Sequence, residues 1–380
     1  MPATTSRRRR AATAAADATV ADTKGATVAD ASAAGAPAAA PAPVSGVPAA
    51  GVPAAAPARR GPSPQAAGLL ALLATVTIWA AFALSARALS SSTLQPADAA
   101  LIRFGLPPLL LAPALWRRRR QIAAVRPGPA LQIACGAGVP FFLAAMYGGS
   151  LTSAAFVGSI VPGVVPLFVS AMMAARGHGL PRGTRAAGLT LIAAGVLALV
   201  WRYVVPVDSD VLAGSGMLLL AGGLWALYTV GLQEVNLDPA GSIGLLCVPS
   251  FLVIALLVAT GVLPTSLGSA TASDIALFTV VQGLGVGLCA GLLYAFAIRR
   301  LGAQRSAVIG TLSPVLVVLL AVPLLDEAPT LAVALGVPVI TAGVLLANRS
   351  AGRSADPSAT RAADRPADGP ATRTEVSTDA

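Results

Sequence analysis

The chain has 380 residues, of which 56% are hydrophobic and 11% charged, and its mean hydropathy is +0.77. Soluble domains carry about 25% charged residues, so this composition excludes an ordinary soluble domain and indicates several membrane-spanning segments. The net charge of +10 does not indicate nucleic-acid binding, because the arginines lie in the tails and in short loops between apolar runs, where they set membrane topology. We expect no nucleic-acid partner.

Residues 1–62 are rich in Ala, Pro, Thr and Gly and have no apolar period. Such a segment cannot bury enough apolar surface to offset the entropy of ordering, so it is predicted to be a disordered cytoplasmic tail. The run Arg7–Arg10 superficially resembles a twin-arginine signal, but no apolar core follows it, and an export signal is not expected. Residues 349–380 are predicted to form a second disordered cytoplasmic tail.

Ten apolar runs lie between the tails, each about long enough to cross roughly 30 Å of hydrocarbon as a helix. They cover approximately residues 66–86, 97–115, 129–148, 153–174, 185–201, 211–232, 242–263, 273–297, 302–324 and 330–348. The sequence therefore predicts an all-α membrane protein of ten transmembrane helices embedded in a lipid bilayer.

The arginines predict the orientation of these helices. With the N-terminus in the cytoplasm, the outside loops keep only Arg87 and Arg202 among the arginines. The cytoplasmic side then carries Arg59, Arg60, Arg117, Arg118, Arg119, Arg120, Arg126, Arg176, Arg182, Arg185, Arg299, Arg300, Arg305 and Arg349. This asymmetry predicts a bacterial plasma membrane protein with both termini in the cytoplasm, although the acidic loop Glu234–Asp238 opposes the trend.

The second half of the sequence repeats the first at an offset of about 150 residues, which indicates an internal duplication. Trp79 corresponds to Trp225, Tyr147 to Tyr294, and Pro162 to Pro314. The predicted repeats are residues 66–202 and 210–348, with five spans each. Because five is odd, the second repeat enters the membrane from the opposite side. Inverted repeats of this kind support alternating access to a substrate near the midplane.

Several short motifs follow one another in order along the chain, and two of them occur in both repeats. They are Ile78-Trp79-Ala80-Ala81-Phe82, Leu101-Ile102-Arg103-Phe104, Ser/Thr-x-x-Pro ending at Pro162 and Pro314, Asp326-Glu327, and a closing Ala-Gly-Val-Leu. Together they resemble the EamA-like families of the drug/metabolite transporter superfamily over about residues 66–348. Those families often carry a glutamate after the fourth span, where this chain has Arg176-Gly177-His178-Gly179. The resemblance implies a ten-helix carrier of small metabolites or drugs, often an exporter, and names no substrate.

Pro162 and Pro314 are predicted near the middle of their spans, where a proline releases the carbonyl four residues earlier. A free carbonyl at this depth must face protein or a water-lined cavity. A hydroxyl group is adjacent to each of the two freed carbonyls, so we interpret the polar patch around each proline as part of a hinge and of a binding wall. The alternative is that Pro and Gly are simply frequent in membrane helices. The patches comprise Gly158, Ser159 and Pro162 in the first repeat and Gly310, Thr311 and Pro314 in the second.

Arg103 is the only basic residue predicted well inside a span, about 10 Å deep. A charge at this depth is costly and marks a functional site by default. Its guanidinium could bind a carboxylate or phosphate of the substrate. Alternatively, it could pair with Asp98 or with freed carbonyls and serve only to hold the helix in place.

Trp79, Trp225 and Tyr228 are large aromatic residues within predicted spans and could line a pocket for a flat or apolar substrate. Helix packing is the alternative. Tyr147 and Tyr294 lie near predicted span ends, where interfacial anchoring is expected.

The stripe Gly283, Gly287 and Gly291 predicts close packing, and the sequence leaves open whether its partner is another span or a second copy of the chain in a homodimer. Cys135, Cys247 and Cys289 lie within spans without metal-ligand spacing, so they are expected to be inert.

No Asp, Glu or His lies at the centre of a predicted span, and there is no glycine-rich phosphate loop with lysine. We therefore expect no catalytic residue, metal or cofactor, and no use of ATP by this chain. A membrane-embedded enzyme is disfavoured because the chain has a single His. The sequence predicts a secondary transporter exporting a small organic solute (a metabolite, amino acid or drug-like compound), with a non-transporting scaffold or sensor of the same fold as the alternative.

Overall fold

The computed structural model describes residues 63–353, with Val205 left out. The tail predicted at residues 1–62 lies outside the described residues, as does the C-terminal tail beyond Arg353. The final helix continues past the predicted boundary at residue 348 and ends at Arg353.

Every regular element in the described part of the chain is helical. The α-helices are α1 (Pro64–Ala88), α2 (Pro96–Leu110), α3 (Ala112–Ala123), α4 (Pro127–Ala137), α5 (Val139–Leu151), α6 (Ala154–Met173), α7 (Gly183–Val200), α8 (Ser209–Gln233), α9 (Pro239–Ala259), α10 (Ala272–Phe278), α11 (Ala290–Leu301), α12 (Ala303–Gly310), α13 (Ser313–Leu325) and α14 (Leu331–Arg353). A π-helical segment, Thr279–Cys289, joins α10 to α11.

The beginnings of these helices follow from local chemistry. The side chains of Ser63, Asp208, Asp238 and Thr271 each accept a hydrogen bond from a backbone N–H in the first turn of the helix that follows. Such caps satisfy N–H groups that have no partner within the helix. Proline occupies the first turn of α1, α2, α4, α5 and α9, where its missing N–H costs nothing.

Nine segments of the described residues are long and apolar enough to cross a membrane, and they match nine of the ten predicted runs. The remaining run, predicted at residues 97–115, is split into α2 and α3, which meet at an angle of 92°. Pro107 and Pro108 in α2 and Pro113 in the first turn of α3 each lack a backbone N–H, which weakens the helix around this bend. A tenth span is present only if the bent pair is counted as one.

Helices from the two halves of the sequence pack extensively against each other. Helix α1 packs against α11 and α13, and α8 packs against α4, α5 and α6. Helix α2 lies against α9 and the π-helical segment, α7 against α14, and α6 against α13. Between α7 and α14, a Cβ atom added to Gly188 would lie 2.7 Å from the carbonyl oxygen of Gly343, so this pair depends on residues without side chains.

The glycine stripe of the predicted eighth span packs against another span of the same chain. A Cβ atom at Gly283 would lie 2.7 Å from the Leu106 side chain, and one at Gly287 would lie 2.9 Å from the carbonyl oxygen of Arg103. Both contacts are with α2. Gly291 has no atom within 4 Å of its Cβ position among the described residues.

One end of the molecule contains the acidic loop that opposed the predicted charge asymmetry, together with arginines from α3, from the start of α4 and from the segment after α6. Arg176 and Arg126 lie 3.3 and 3.7 Å from Glu234, and Arg118 lies 2.6 Å from Asp238. Hydrogen bonding from Arg118 holds the pKa of the Asp238 carboxyl below its usual value. The acidic residues are thus neutralised by arginines at the same end.

The opposite end is fastened by a different set of polar contacts. Arg87, at the end of α1, donates a hydrogen bond of 2.6 Å to Glu327, which follows α13. The second oxygen of Glu327 accepts a bond of 3.0 Å from the backbone N–H of Ala154, so this carboxylate also caps α6. Thr93 donates through its backbone N–H and its hydroxyl to Asp274 of α10. Loops from both halves of the sequence therefore meet at this end.

Candidate functional site: a buried arginine among aromatic rings

Arg103 lies halfway along α2 and is only 4% exposed. Its guanidinium carbon lies over three phenylalanine rings, at 5.7 Å from the centroid of Phe82 and 5.5 Å from those of Phe104 and Phe142. Aromatic faces attract a cation through their quadrupole, by up to about 2 kcal/mol when the pair is desolvated. The rings therefore offset part of the cost of burying this charge.

A short chain of hydrogen bonds connects Arg103 to two other elements. Its Nη1 donates to Oε1 of Gln282 at 3.3 Å, and Nε2 of Gln282 donates to the hydroxyl of Ser85 at 2.7 Å. Ser85 donates in turn to the carbonyl oxygen of Phe82 at 2.9 Å. Gln282 belongs to the π-helical segment and Ser85 to α1, so the chain crosses three neighbouring elements.

Arg103 forms no ion pair with any carboxylate in residues 63–353, and its Nε has no hydrogen-bond partner there. The pairing with Asp98 that the sequence allowed is not formed. Asp98 is fully buried and accepts hydrogen bonds from the Thr265 hydroxyl and from the backbone N–H groups of Gln95 and Ser266. It anchors the start of α2 to the loop before α10, which leaves the arginine without an acidic partner.

The aromatic surroundings of Arg103 extend to two of the predicted site residues. Phe82 stacks on Phe141 with centroids 6.0 Å apart, Phe141 lies 5.0 Å from Trp225, and Trp225 lies 5.1 Å from Tyr228. Tyr228 and the buried Cys247 also lie near the guanidinium. The structure thus brings Arg103, Trp225 and Tyr228 into one cluster.

Trp79 belongs to a second group beside this cluster. Its ring lies 5.1 Å from that of Tyr294, and the Cβ position of Gly310 is 3.5 Å from its edge. Trp79 precedes Phe82 by about one helical turn on α1, so the two groups share a helix. Tyr294, expected as an interfacial anchor, instead packs against Trp79, whereas Tyr147 is 40% exposed near the end of α5.

The first proline patch lies within an unbroken helix. Helix α6 runs through Pro162, and Gly158 faces Val317 of α13, whose side chain would meet a Cβ atom at 2.7 Å. The Ser159 hydroxyl is buried and has no partner in the described part of the chain. Gly158 and Ser159 are therefore at the contact between the two halves, as predicted for a binding wall, but not within the arginine cluster.

The second proline patch differs from the first. The backbone leaves the helical path at Thr311 and Leu312, between α12 and α13, and Pro314 lies in the first turn of α13. Residues 308–325 still form one apolar segment long enough to cross a membrane, so Pro314 lies within a span whose α-helix is interrupted just before it. The break allows Pro314 a place where its missing N–H has no cost. The hydroxyl of Thr311 donates to the carbonyl oxygen of Val308 at 2.6 Å.

A cavity of about 170 Å³ lies at the end of the molecule that carries Glu327. Its lining includes Ser153, Tyr203 and Thr330, together with apolar residues of α6, α13 and α14. None of the predicted site residues lines it. The candidate cluster around Arg103 is a packed region of side chains elsewhere in the bundle.

Sequence reasoning missed Ser85, Gln282 and the three phenylalanines that surround Arg103. Gln282 could have been found from the sequence, because it is an amide in an otherwise apolar run, and a polar residue in a span favours an interhelical partner. The structure shows it to be fully buried. The phenylalanines could not have been found in this way, since apolar residues occur throughout these spans.

Comparison with known proteins supports a transporter fold. No curated protein matches the chain. The crystal structure of another protein resembles this chain with a TM-score of 0.51 and a sequence identity of 18%. The superposed region covers 76% of this chain and 99% of the other. This likeness concerns the fold alone. The model of the EamA-like transporter family matches residues 212–349. The chain is a multi-pass membrane protein, and the part of it that spans residues 212–349 is similar to the EamA-like transporter family, which is part of the drug/metabolite transporter superfamily.

Proposed function

We propose that the protein is a secondary transporter that exports a small organic solute by alternating access, and that it is not an enzyme. The observation that carries this proposal is the buried Arg103, which has no acidic partner among the described residues and lies between the two halves of an EamA-like bundle. An isolated charge in a low-dielectric interior is costly. A solute with a negative group would offset this cost when it binds, which helix packing alone does not explain.

The inverted repeat is part of the proposal and is supported by the helix contacts. If α1 corresponds to α8, the packing of α1 against α11 and α13 mirrors the packing of α8 against α5 and α6. Gly188 corresponds to Gly336 and Gly195 to Gly343. A Cβ atom at Gly188 would lie 2.7 Å from the Gly343 oxygen, and one at Gly195 would lie 3.1 Å from the Gly336 oxygen. Reciprocal contacts of this kind are those expected across a pseudo-two-fold axis.

In the proposed carrier, the second of ten crossings runs along α2 and ends at the bend before α3. The end of the molecule rich in arginine, which includes Arg118, Arg126 and Arg176, then faces the cytoplasm together with both termini. The opposite end, with Arg87 and Glu327, faces outward. The host membrane is a bacterial plasma membrane.

The solute is proposed to bind beside Arg103, between the two repeats. Its negative group binds the guanidinium and replaces Gln282 as the hydrogen-bond acceptor. The distance of 3.3 Å from Nη1 of Arg103 to Oε1 of Gln282 is long for a charged donor. Trp225 and Tyr228 contact its apolar part, with Trp79 on the adjoining side. The patches containing Gly158, Ser159 and Pro162, and Gly310, Thr311 and Pro314, form the surfaces along which the halves move.

Single cysteines test the topology. Val207→Cys and Ala328→Cys lie at exposed positions, and both should react with an impermeant thiol reagent applied to intact cells. His178→Cys, also exposed but at the other end, should react only after permeabilisation. The unmodified protein gives the background from its three native cysteines. Labelling of His178→Cys in intact cells, or protection of either of the other two, would refute the proposed arrangement.

Transport in membrane vesicles tests the function. A panel of labelled amino acids, other small organic acids, nucleobases and cationic dyes should reveal at least one solute that moves saturably, with and without an imposed pH gradient. Vesicles from cells without the protein are the control. Movement that follows the gradient indicates proton coupling, and movement indifferent to it indicates facilitated exchange. Binding of a solute without movement would reject the transporter in favour of the scaffold or sensor.

A further inference from the structure

Helix α3 differs from the rest of the bundle. It turns through 92° from α2 and has no buried residue along its 12-residue length. It lies at the end of the molecule that carries Asp238, which it contacts through Arg118. Because α2 crosses from the opposite end and rises about 22 Å over its length, α3 lies across the mouth of the bundle rather than along it.

One face of α3 is fastened to the bundle. The side chains of Leu115 and Ile122 lie 2.5 and 3.2 Å from the Cβ position of Gly244 on α9. On the same side, Arg118 forms three hydrogen bonds of 2.6 to 2.9 Å with the carboxylate of Asp238. The orientation of α3 about its own axis is therefore fixed by apolar contacts and an ion pair.

The other face combines cations with exposed apolar groups. Arg117, Arg119 and Arg120 are exposed and have no acidic partner among the described residues. Trp116 is 69% exposed, and the guanidinium carbon of Arg119 lies 4.3 Å from the centroid of its ring. Leu109, at the bend, is 72% exposed. We define the free face of α3 as Trp116, Arg117, Arg119 and Arg120, together with Leu109 from the end of α2.

We propose that the free face of α3 binds the headgroups of anionic phospholipids at the membrane surface. Three arginines without an acidic partner among the described residues match phosphate groups in charge and donor number. Trp116 and Leu109 are suited to the boundary between headgroups and acyl chains, where Trp is enriched and amphipathic helices lie flat. The binding is independent of the transported solute.

Quenching of tryptophan fluorescence by brominated lipids tests this binding on the full-length protein in vesicles. The contribution of Trp116 is the difference between the wild type and Trp116→Phe. Brominated phosphatidylglycerol should quench this contribution at least about fivefold more effectively than brominated phosphatidylcholine, the effect expected of a single arginine near an anionic surface. The triple change Arg117→Gln, Arg119→Gln and Arg120→Gln should abolish that preference.

Two controls locate the effect on α3. Trp201 is 75% exposed at the opposite end, and its contribution, isolated with Trp201→Phe, should show a smaller preference. The triple change Arg299→Gln, Arg300→Gln and Arg305→Gln removes the same charge from the adjoining ends of α11 and α12 and should leave the preference at Trp116 intact. Equal quenching by the two lipids, equal loss in both triple variants, or displacement of phosphatidylglycerol by millimolar glycerol phosphate would each overturn the proposal.

Discussion

Arg103→Gln should lower the rate of solute transport by about a hundredfold or more, whereas the protein should fold and unfold at nearly the wild-type temperature. Removing one member of a buried charged pair typically costs about 2–5 kcal/mol of binding, and each 1.4 kcal/mol is a factor of about ten. The measurement is saturable transport in vesicles containing equal amounts of folded protein.

Folding should survive because Arg103 has no counter-ion among the described residues to lose. Its only hydrogen bond to a described residue is with Gln282, and the glutamine introduced at position 103 can form an amide pair there. The change gives up three cation–π contacts, but it also removes the cost of an unpaired buried charge. These effects oppose each other, so the unfolding temperature should move by no more than a few degrees.

Two further variants make this prediction specific. Arg103→Lys keeps the charge but not the planar pair of donors, so transport should recover only partly. Arg202→Gln makes the same chemical change at an exposed arginine outside the cluster and should transport normally. Wild-type transport by Arg103→Gln would remove the arginine from the proposed site, while loss of folded protein would assign it a structural role.

Hydropathy predicted most of this fold because crossing a membrane is decided locally, by about 20 apolar residues in sequence. Hydropathy did not predict the bend between α2 and α3, because apolar residues continue from Leu109 through Leu115 and the hydropathy does not fall where the chain turns. Only Pro107, Pro108 and Pro113 marked the weak point.

The two proline patches show why local sequence was insufficient for the site. Pro162 lies in α6, whose residues from Ala154 to Val161 are buried, and there the helix is continuous. The matching segment before Pro314 includes the exposed Val308 and Leu312, and there the helix breaks. A proline removes one hydrogen bond in either case, and the surrounding packing determines whether the helix survives.

Arg103 was identified from sequence because a charge in an apolar run is conspicuous, but its environment was not. The rings of Phe82, Phe104 and Phe142 come from α1, α2 and α5, and Gln282 comes from the second half of the chain. Their convergence is a property of helix packing, which hydropathy does not encode.

Gly136→Leu should prevent the protein from folding, because α4 and α8 touch through their backbones at this position. A Cβ atom on Gly136 would lie 2.4 Å from the backbone nitrogen of Tyr228 and 2.7 Å from the carbonyl oxygen of Leu224. Backbone atoms in a helix cannot rotate away as a side chain can, so the helices must separate. Overpacking costs about 1–3 kcal/mol and occasionally more, and separating α4 from α8 should place this substitution at or above that range.

The loss should be visible as aggregated protein after extraction into detergent, or as a fall of many degrees in the unfolding temperature of any folded fraction. Gly216→Leu is the matched control, because it lies on α8 and has no described atom within 4 Å of its Cβ position. It adds the same side chain to an exposed helix face and should fold normally. Normal folding of Gly136→Leu would mean that α4 and α8 are not in backbone contact. Equal failure of both variants would attribute the loss to leucine itself rather than to the packing of these two helices.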